Sequence, residues 1–242
     1  MITGGARGIG WAVGKHLRAE GWEVVAADLD PGETTAGDSG IHYRELDVCN
    51  REQVSSVFTT VVEELGGLDL LVNNAGITRM APLVDLSWED WSTVVDVNLH
   101  GVFNCLQAAG RIMIERGGGV IVNVASVAAE RGAAGRAPYA TTKHAVVGLT
   151  RSAGVEWAPL GVRVNAVGPG YVDAGVLSAA IASGALDPAQ VLERIPAGRL
   201  ADPDEIGAMV SFLASPAAAY VNGQVFYVDG GFLADYGVRV QR

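Results

Sequence analysis

The strongest constraint on this chain is an alternation. Short apolar runs, each too brief for a stable helix, are separated by longer amphipathic stretches. The runs lie at residues 23–28, 41–48, 68–72, 120–124, 162–167 and 224–228. Several are apolar on consecutive residues, which is the pattern of parallel strands covered on both faces. The intervening stretches predict helices over 10–19, 51–65, 87–115, 138–157 and 203–214. Strand and helix in turn are the signature of βαβ units, and so of an α/β fold. Local chemistry marks two helix starts. Ser87 precedes Glu89 and Asp90, while Asp202 precedes Pro203, so both helices open on a capping residue. Residues 170–200 break the rhythm with Ala, Ser, Gly and two prolines.

Composition narrows the function classes. At 242 residues with no linker, repeat or charge block, the chain is read as one domain over 1–242. Hydrophobic residues make up 49% and charged residues 18%, enough for a core and too apolar for disorder. A net charge of −10 argues against nucleic acid as a partner, since phosphate binding needs a positive footprint. No apolar run reaches the ~18–20 residues that span a bilayer, so no membrane partner is expected. Cys49 and Cys105 have neither metal nor disulfide spacing, and no secretory leader is evident; a reducing cytoplasm is expected. The four histidines form no ligand spacing, so no metal is predicted.

Two motifs carry chemistry. In Thr3-Gly4-Gly5-Ala6-Arg7-Gly8-Ile9-Gly10 the glycines let backbone approach a pyrophosphate at a helix N-terminus, where N–H groups and the dipole favour an anion. A glycine run alone is also an ordinary tight turn. Yet glycines in a first helical turn cost ~1 kcal/mol each, which some gain must offset. Asp28, ending the next apolar run, can accept hydrogen bonds from an adenosine ribose. The second motif is Tyr139 and Lys143, four residues apart and so on one helical face. By itself that spacing more often marks a surface contact. As chemistry it is a general acid/base beside a cation. Drawing a phenol from ~10 to ~7 needs about 4 kcal/mol. One cation at ~6 Å supplies roughly 3 kcal/mol of that at an effective dielectric near 20.

These residues, with Asp47-Val48, Asn73-Asn74-Ala75-Gly76, Asn98, Ser126, Asn165 and Pro169-Gly170 in the same order, resemble the single-domain branch of the short-chain dehydrogenase/reductase family. The likeness covers essentially the whole chain. It implies a Rossmann-like, doubly wound parallel sheet of about seven strands, in order 3-2-1-4-5-6-7. It implies that Tyr139 exchanges the proton at the substrate oxygen, that Ser126 holds that oxygen, and that Lys143 binds the nicotinamide ribose and lowers the Tyr139 pKa. Asn98 would support a water relay to Lys143. For the cofactor it implies Gly4, Arg7, Gly8, Ile9 and Gly10 at the pyrophosphate, and Asp47 and Val48 at the adenine. Asn73 would brace the sheet, while Asn74, Ala75 and Gly76 leave room for the adenosine half. Pro169, Gly170 and Val172 would meet the carboxamide, and residues 170–200 would form a substrate lid.

Three departures from the family pattern stand out. Only Met1 and Ile2 precede Thr3, so the central strand is expected to be short and poorly paired. Ala174 replaces a threonine often found there. Asp28 favours NAD by repelling a 2′-phosphate, whereas Arg7 resembles a residue of NADP-preferring members; NAD is expected, with NADP the alternative. Val172, Val176, Leu177 and Ile181 give the lid apolar side chains, and Arg131 and Arg136 flank the approach to Tyr139. The segment Lys143-His144-Ala145-Val146 leans toward polyol and ketone dehydrogenases. The leading expectation is hydride transfer between NAD(H) and a small-molecule secondary alcohol or ketone of polyol, sugar or cyclic type. The alternatives are an NADPH-dependent 3-oxoacyl-thioester reductase and a catalytically silent NAD-binding scaffold. The resemblance also implies a homotetramer, built on the helices at 87–115 and 138–157, with the tail at 233–242 reaching a neighbour.

Overall fold

The computed structural model describes residues 1–35, 39–174, 187–235 and 237. Seven strands form one parallel sheet in the order β3-β2-β1-β4-β5-β6-β7. They are β1 (Ile2–Thr3), β2 (Val24–Asp28), β3 (Ile41–Glu45), β4 (Leu70–Asn73), β5 (Gly119–Val124), β6 (Val162–Pro169) and β7 (Val225–Val228). The helices are α1 (Gly8–Ala19), α2 (Arg51–Leu65), α3 (Trp88–Val95), α4 (Val102–Glu115), α5 (Ala137–Trp157), α6 (Pro188–Glu193) and α7 (Pro203–Ala214).

The consecutive apolar runs are explained by two cores. On one face, Val54, Phe58 and Val61 of α2 and Cys105, Ala109 and Met113 of α4 pack against Leu71, Ile121 and Val164. On the other, Trp11, Val13 and Leu17 of α1 and Ile206, Val210 and Leu213 of α7 pack against Ile2, Val72 and Val122. Neighbouring strand residues point to opposite faces, and both faces are dry. Helix starts follow the local chemistry. The Ser87 hydroxyl accepts from the Asp90 amide at 3.0 Å, and Asp202 forms a full capping box with Glu205 at the start of α7.

The larger differences from the sequence expectation lie in one strand, one helix and the pairing of the first strand. The predicted strand 41–48 stops at Glu45. Beyond it the Asp47 carboxylate accepts from Cys49 N at 2.9 Å, and Gln53 Oε1 takes the Asp47 amide at 2.8 Å, turning the chain out of the sheet. The predicted helix 87–115 is divided by a π-helical turn, Asp96–Gly101, between α3 and α4. The first strand is two residues long, yet it pairs with both β2 and β4. Met1 extends that pairing: its ammonium donates to Leu70 O at 2.8 Å and its carbonyl accepts from Val72 N at 2.9 Å. The expected loss of pairing is therefore small on the β4 side.

The two ends of the stretch 170–200 are fastened to each other. Val172 bridges Ala201, and Ala201 N donates to Tyr171 O at 2.9 Å. Val176, Leu177 and Ile181 lie outside the described residues, as do positions 236 and 238–242 of the tail. No helix among the described residues is long and apolar enough to cross a membrane.

Candidate active site

The order 3-2-1-4-5-6-7 reverses direction between β1 and β4, the crevice where open α/β sheets bind ligands at their carboxyl ends. The glycine turn sits there. The Thr3 hydroxyl accepts from the amides of Asn74 and Ala75, each at 3.1 Å. In return the Asn74 side chain donates to Thr3 O at 3.1 Å and Gly4 O at 2.8 Å. Gly4 and Gly8 have φ of 60° and 55°, a region that L side chains rarely adopt. A Cβ on Gly10 would fall 2.1 Å from Gly4 O. The Arg7 side chain makes no capping hydrogen bond to α1. A helix N-terminus that its N-cap side chain leaves open, with backbone folded tightly around it, fits a pyrophosphate.

At the adenosine end, Asp28 closes β2. Its Oδ2 accepts from Ala6 N at 3.1 Å and its Oδ1 from Leu29 N at 2.8 Å. Arg7 does not reach into this groove unaccompanied; its guanidinium bonds the Asp30 carboxylate at 2.6 Å. Val48 is buried, and its carbonyl accepts from Asn104 Nδ2 at 3.0 Å. A Cβ on Gly101 would meet Val48 Cγ2 at 2.5 Å, so α4 begins hard against the Asp47-Val48 loop.

A chain of contacts links this end to the catalytic set. Ala75 lies against Gly4, and Asn98 Oδ1 stands 3.3 Å from where a Gly76 Cβ would be. The fully buried Asn98 accepts from Ile77 N at 2.8 Å, donates to Ile77 O at 2.9 Å, and reaches the Thr142 hydroxyl at 3.4 Å. Thr142 lies on α5 between Tyr139 and Lys143. The Lys143 ammonium donates to Val124 O, the last residue of β5, at 2.6 Å. Ser126 follows two residues later; its hydroxyl accepts from Ala128 N at 3.1 Å and is a hydrogen-bond partner of the Tyr139 phenol. From the far side, a Gly8 Cβ would lie 3.3 Å from Ala174 O, so the chain after Gly170 descends onto the glycine turn. Gly170 is fixed by donation to Val228 O at 2.9 Å.

Electrostatics at this end are set by burial. Lys143 is 4% exposed, and desolvation pulls its ammonium down to about 8. The Tyr139 phenol is pushed above its ordinary value by burial, against the opposing pull of the Ser126 hydrogen bond and the Arg136 charge. The expected lowering joins the positive charge of a bound nicotinamide to that of Lys143. Its ammonium lies 5.6 Å from the ring centroid and is engaged by the Val124 carbonyl. Arg131 is also not poised toward a substrate; it donates to Leu233 O and Asp235 O and stacks over Phe232.

Sequence reasoning left several participants without a role. Thr3 and Thr142 act through their hydroxyls, and Asn104 and Asp30 act on partners far along the chain. Asp30 alone carried a local signal, an acid two residues past a strand end and before Pro-Gly. Asn73, read as a brace of the sheet, donates to Asn123 Oδ1 at 2.9 Å across the β4–β5 pair. Among the described residues there is no cluster able to hold a metal ion.

Comparison with known proteins agrees with this geometry. A family model described as enoyl-(acyl carrier protein) reductase matches residues 4–233. A 3-oxoacyl-[acyl-carrier-protein] reductase of Synechocystis sp. is 38% identical, over 96% of this chain and 96% of its own. A D-threitol dehydrogenase of Mycolicibacterium smegmatis is 39% identical over 96% of this chain and 91% of its own. The crystal structure of a gluconate 5-dehydrogenase from Burkholderia cenocepacia, in complex with NADP and tartrate, superposes with a TM-score of 0.90 at 38% identity, covering 97% of this chain and 94% of that one. The chain belongs to the short-chain dehydrogenase/reductase family and is a nicotinamide-dependent oxidoreductase of CH–OH and keto groups.

Proposed function

We propose that the chain interconverts a secondary alcohol and its ketone, of polyol, sugar or cyclic alcohol type, with NAD(H) as the preferred cofactor. The observation that carries this reading is the gathering of Ser126, Tyr139 and Lys143 at the carboxyl end of β5, joined through Asn98 to the glycine turn. A nicotinamide dinucleotide, seated on the N-terminus of α1, supplies the hydride exchange when bound. Tyr139 gives the substrate oxygen its proton in reduction and takes one from the hydroxyl in oxidation. Ser126 hydrogen-bonds the same oxygen and holds it beside the phenol. Lys143 presents a cation toward the nicotinamide ribose, and Asn98 keeps the Ile77 loop against α5. Because burial holds the phenol above its ordinary value, Tyr139 carries its proton at neutral pH, the form that reduction needs.

Asp28 supports NAD, since its carboxylate is locked against Ala6 and would face a 2′-phosphate. A second reading is favoured by the relatives: an NADPH-dependent 3-oxoacyl-thioester reductase, as the Synechocystis enzyme's name and the NADP in the Burkholderia structure would have it. Both readings place a single domain with a lid at about 170–200 in a reducing cytoplasm, with the two thiols free. Both also include a homotetramer built on the helical stretches 87–115 and 138–157; on α5 Val155 is 78% exposed and a Cβ on Gly148 would meet nothing within 4 Å.

The deciding experiment is steady-state kinetics with NADH and NADPH on cyclic ketones, keto sugar acids and an acyl thioester. The expected outcome is a kcat/KM for NADH at least about tenfold above that for NADPH, ~1.4 kcal/mol. A preference for NADPH with turnover only of the thioester moves the assignment to the second reading. Tyr139→Phe retaining most turnover would overturn the mechanism in either.

A further inference from the structure

We infer that Asp30 is a specificity residue of the dinucleotide site, holding Arg7 in an ion pair that must open before that arginine can receive a 2′-phosphate. The inference rests on the proposed dinucleotide site and adds to it a residue outside the glycine motif and outside the strand end.

The geometry is a clasp around the glycine turn. After β2 the chain doubles back so that Glu33 N donates to Ala6 O at 2.8 Å, while Asp28 Oδ2 accepts from Ala6 N at 3.1 Å. Both backbone groups of Ala6 are thus engaged by one loop. Gly32 makes the approach possible: its φ is 45°, and a Cβ there would lie 2.5 Å from Ala6 O. Between these two fastenings sits Asp30, held at both oxygens. Oδ1 accepts from Gly32 N at 2.9 Å and Oδ2 from Arg7 Nη2 at 2.6 Å.

Arg7 therefore stands between two carboxylates, Asp28 and Asp30, and both act on it electrostatically. A 2′-phosphate entering here meets two repulsions and one attraction that is already committed. The pair is a brake and not a bar, because both side chains are 61% exposed and solvent screens them. Exposed pairs of this kind contribute little, so the brake amounts to no more than about fivefold in affinity.

The test is equilibrium binding of 5′-AMP and of adenosine 2′,5′-bisphosphate to the full chain, in wild type, Asp30→Asn, Arg7→Ala and the double variant. Asparagine can still accept from Gly32 N, so the loop keeps its turn. Asp30→Asn is expected to tighten the bisphosphate about fivefold, leave 5′-AMP unchanged, and lose that gain in the double variant. A gain that survives Arg7→Ala, or no gain at all, overturns the inference while leaving the site itself standing. Wild type binding neither nucleotide would bring down the dinucleotide reading and this inference with it.

Discussion

The two ends of the groove are built on opposite physical terms. At the catalytic end a lysine is 4% exposed, an asparagine fully buried, and a phenol displaced from its ordinary value by desolvation. At the adenosine end the charges are a surface pair, each partner 61% exposed and open to solvent. Electrostatic interactions grow as water is excluded. The enclosed end can therefore move protons and tolerate little change. The open end can grade one cofactor against another in small steps. In the proposed reading, chemistry and selectivity are separated along a single groove, and the sheet's carboxyl edge is what joins them.

The largest effect belongs at the enclosed end. Tyr139→Phe removes the group proposed to exchange the substrate proton, and turnover should fall by about 10²–10⁴ while nucleotide binding by titration stays intact. Loss of binding as well would break the comparison, because the two ends would then not be separable. Next comes the buried cation. Its folded value of about 8 lies below the ordinary 10.5, so the unfolded chain binds more protons between those values. Stability should therefore rise across that interval as the unfolded lysine deprotonates. Urea unfolding of wild type minus Lys143→Met should show a relative gain of about 3 kcal/mol from pH 8 to 10.5. A flat difference would mean that the ammonium is better solvated than its burial implies. A smaller effect is due at the open end: Asp28→Asn should shift the NADPH-to-NADH ratio of kcat/KM upward by about fivefold, since one screened charge is worth ~1 kcal/mol. The smallest is salt. Raising ionic strength from ~0.1 to ~1 M, which shortens the screening length from about 10 to 3 Å, should narrow that ratio by a few-fold and leave the Tyr139-dependent step unmoved.

How much could be read beforehand follows the range of the forces involved. Strand cores, the caps at Ser87 and Asp202, and the Tyr139–Lys143 pair rest on neighbours a few residues away, and the sequence alone locates them. What escaped depends on long reach. Asn98 finds Ile77, Asn104 finds Val48 and Arg7 finds Asp30 only after the sheet has closed. The π-helical turn escaped for a different reason. One added residue shifts the apolar repeat locally, and the flanking stretches of α3 and α4 each read as regular helix. The Tyr139 phenol is raised by the desolvation of its own site, a contribution that residue spacing does not carry.

That turn has a consequence for descent. A π-helical turn is what a one-codon insertion leaves behind in an α-helix, rotating everything downstream by about 100°. Here it falls at Asp96–Gly101 and aims Asn98 inward at Ile77 and Thr142. Deleting one codon within it would restore a regular ladder of backbone bonds and a sturdier helix, while turning Asn98 away from its partners. A lineage that shed the codon would gain a helix and lose the strut between the nucleotide loop and α5, so the irregularity is one that selection for stability alone would erase.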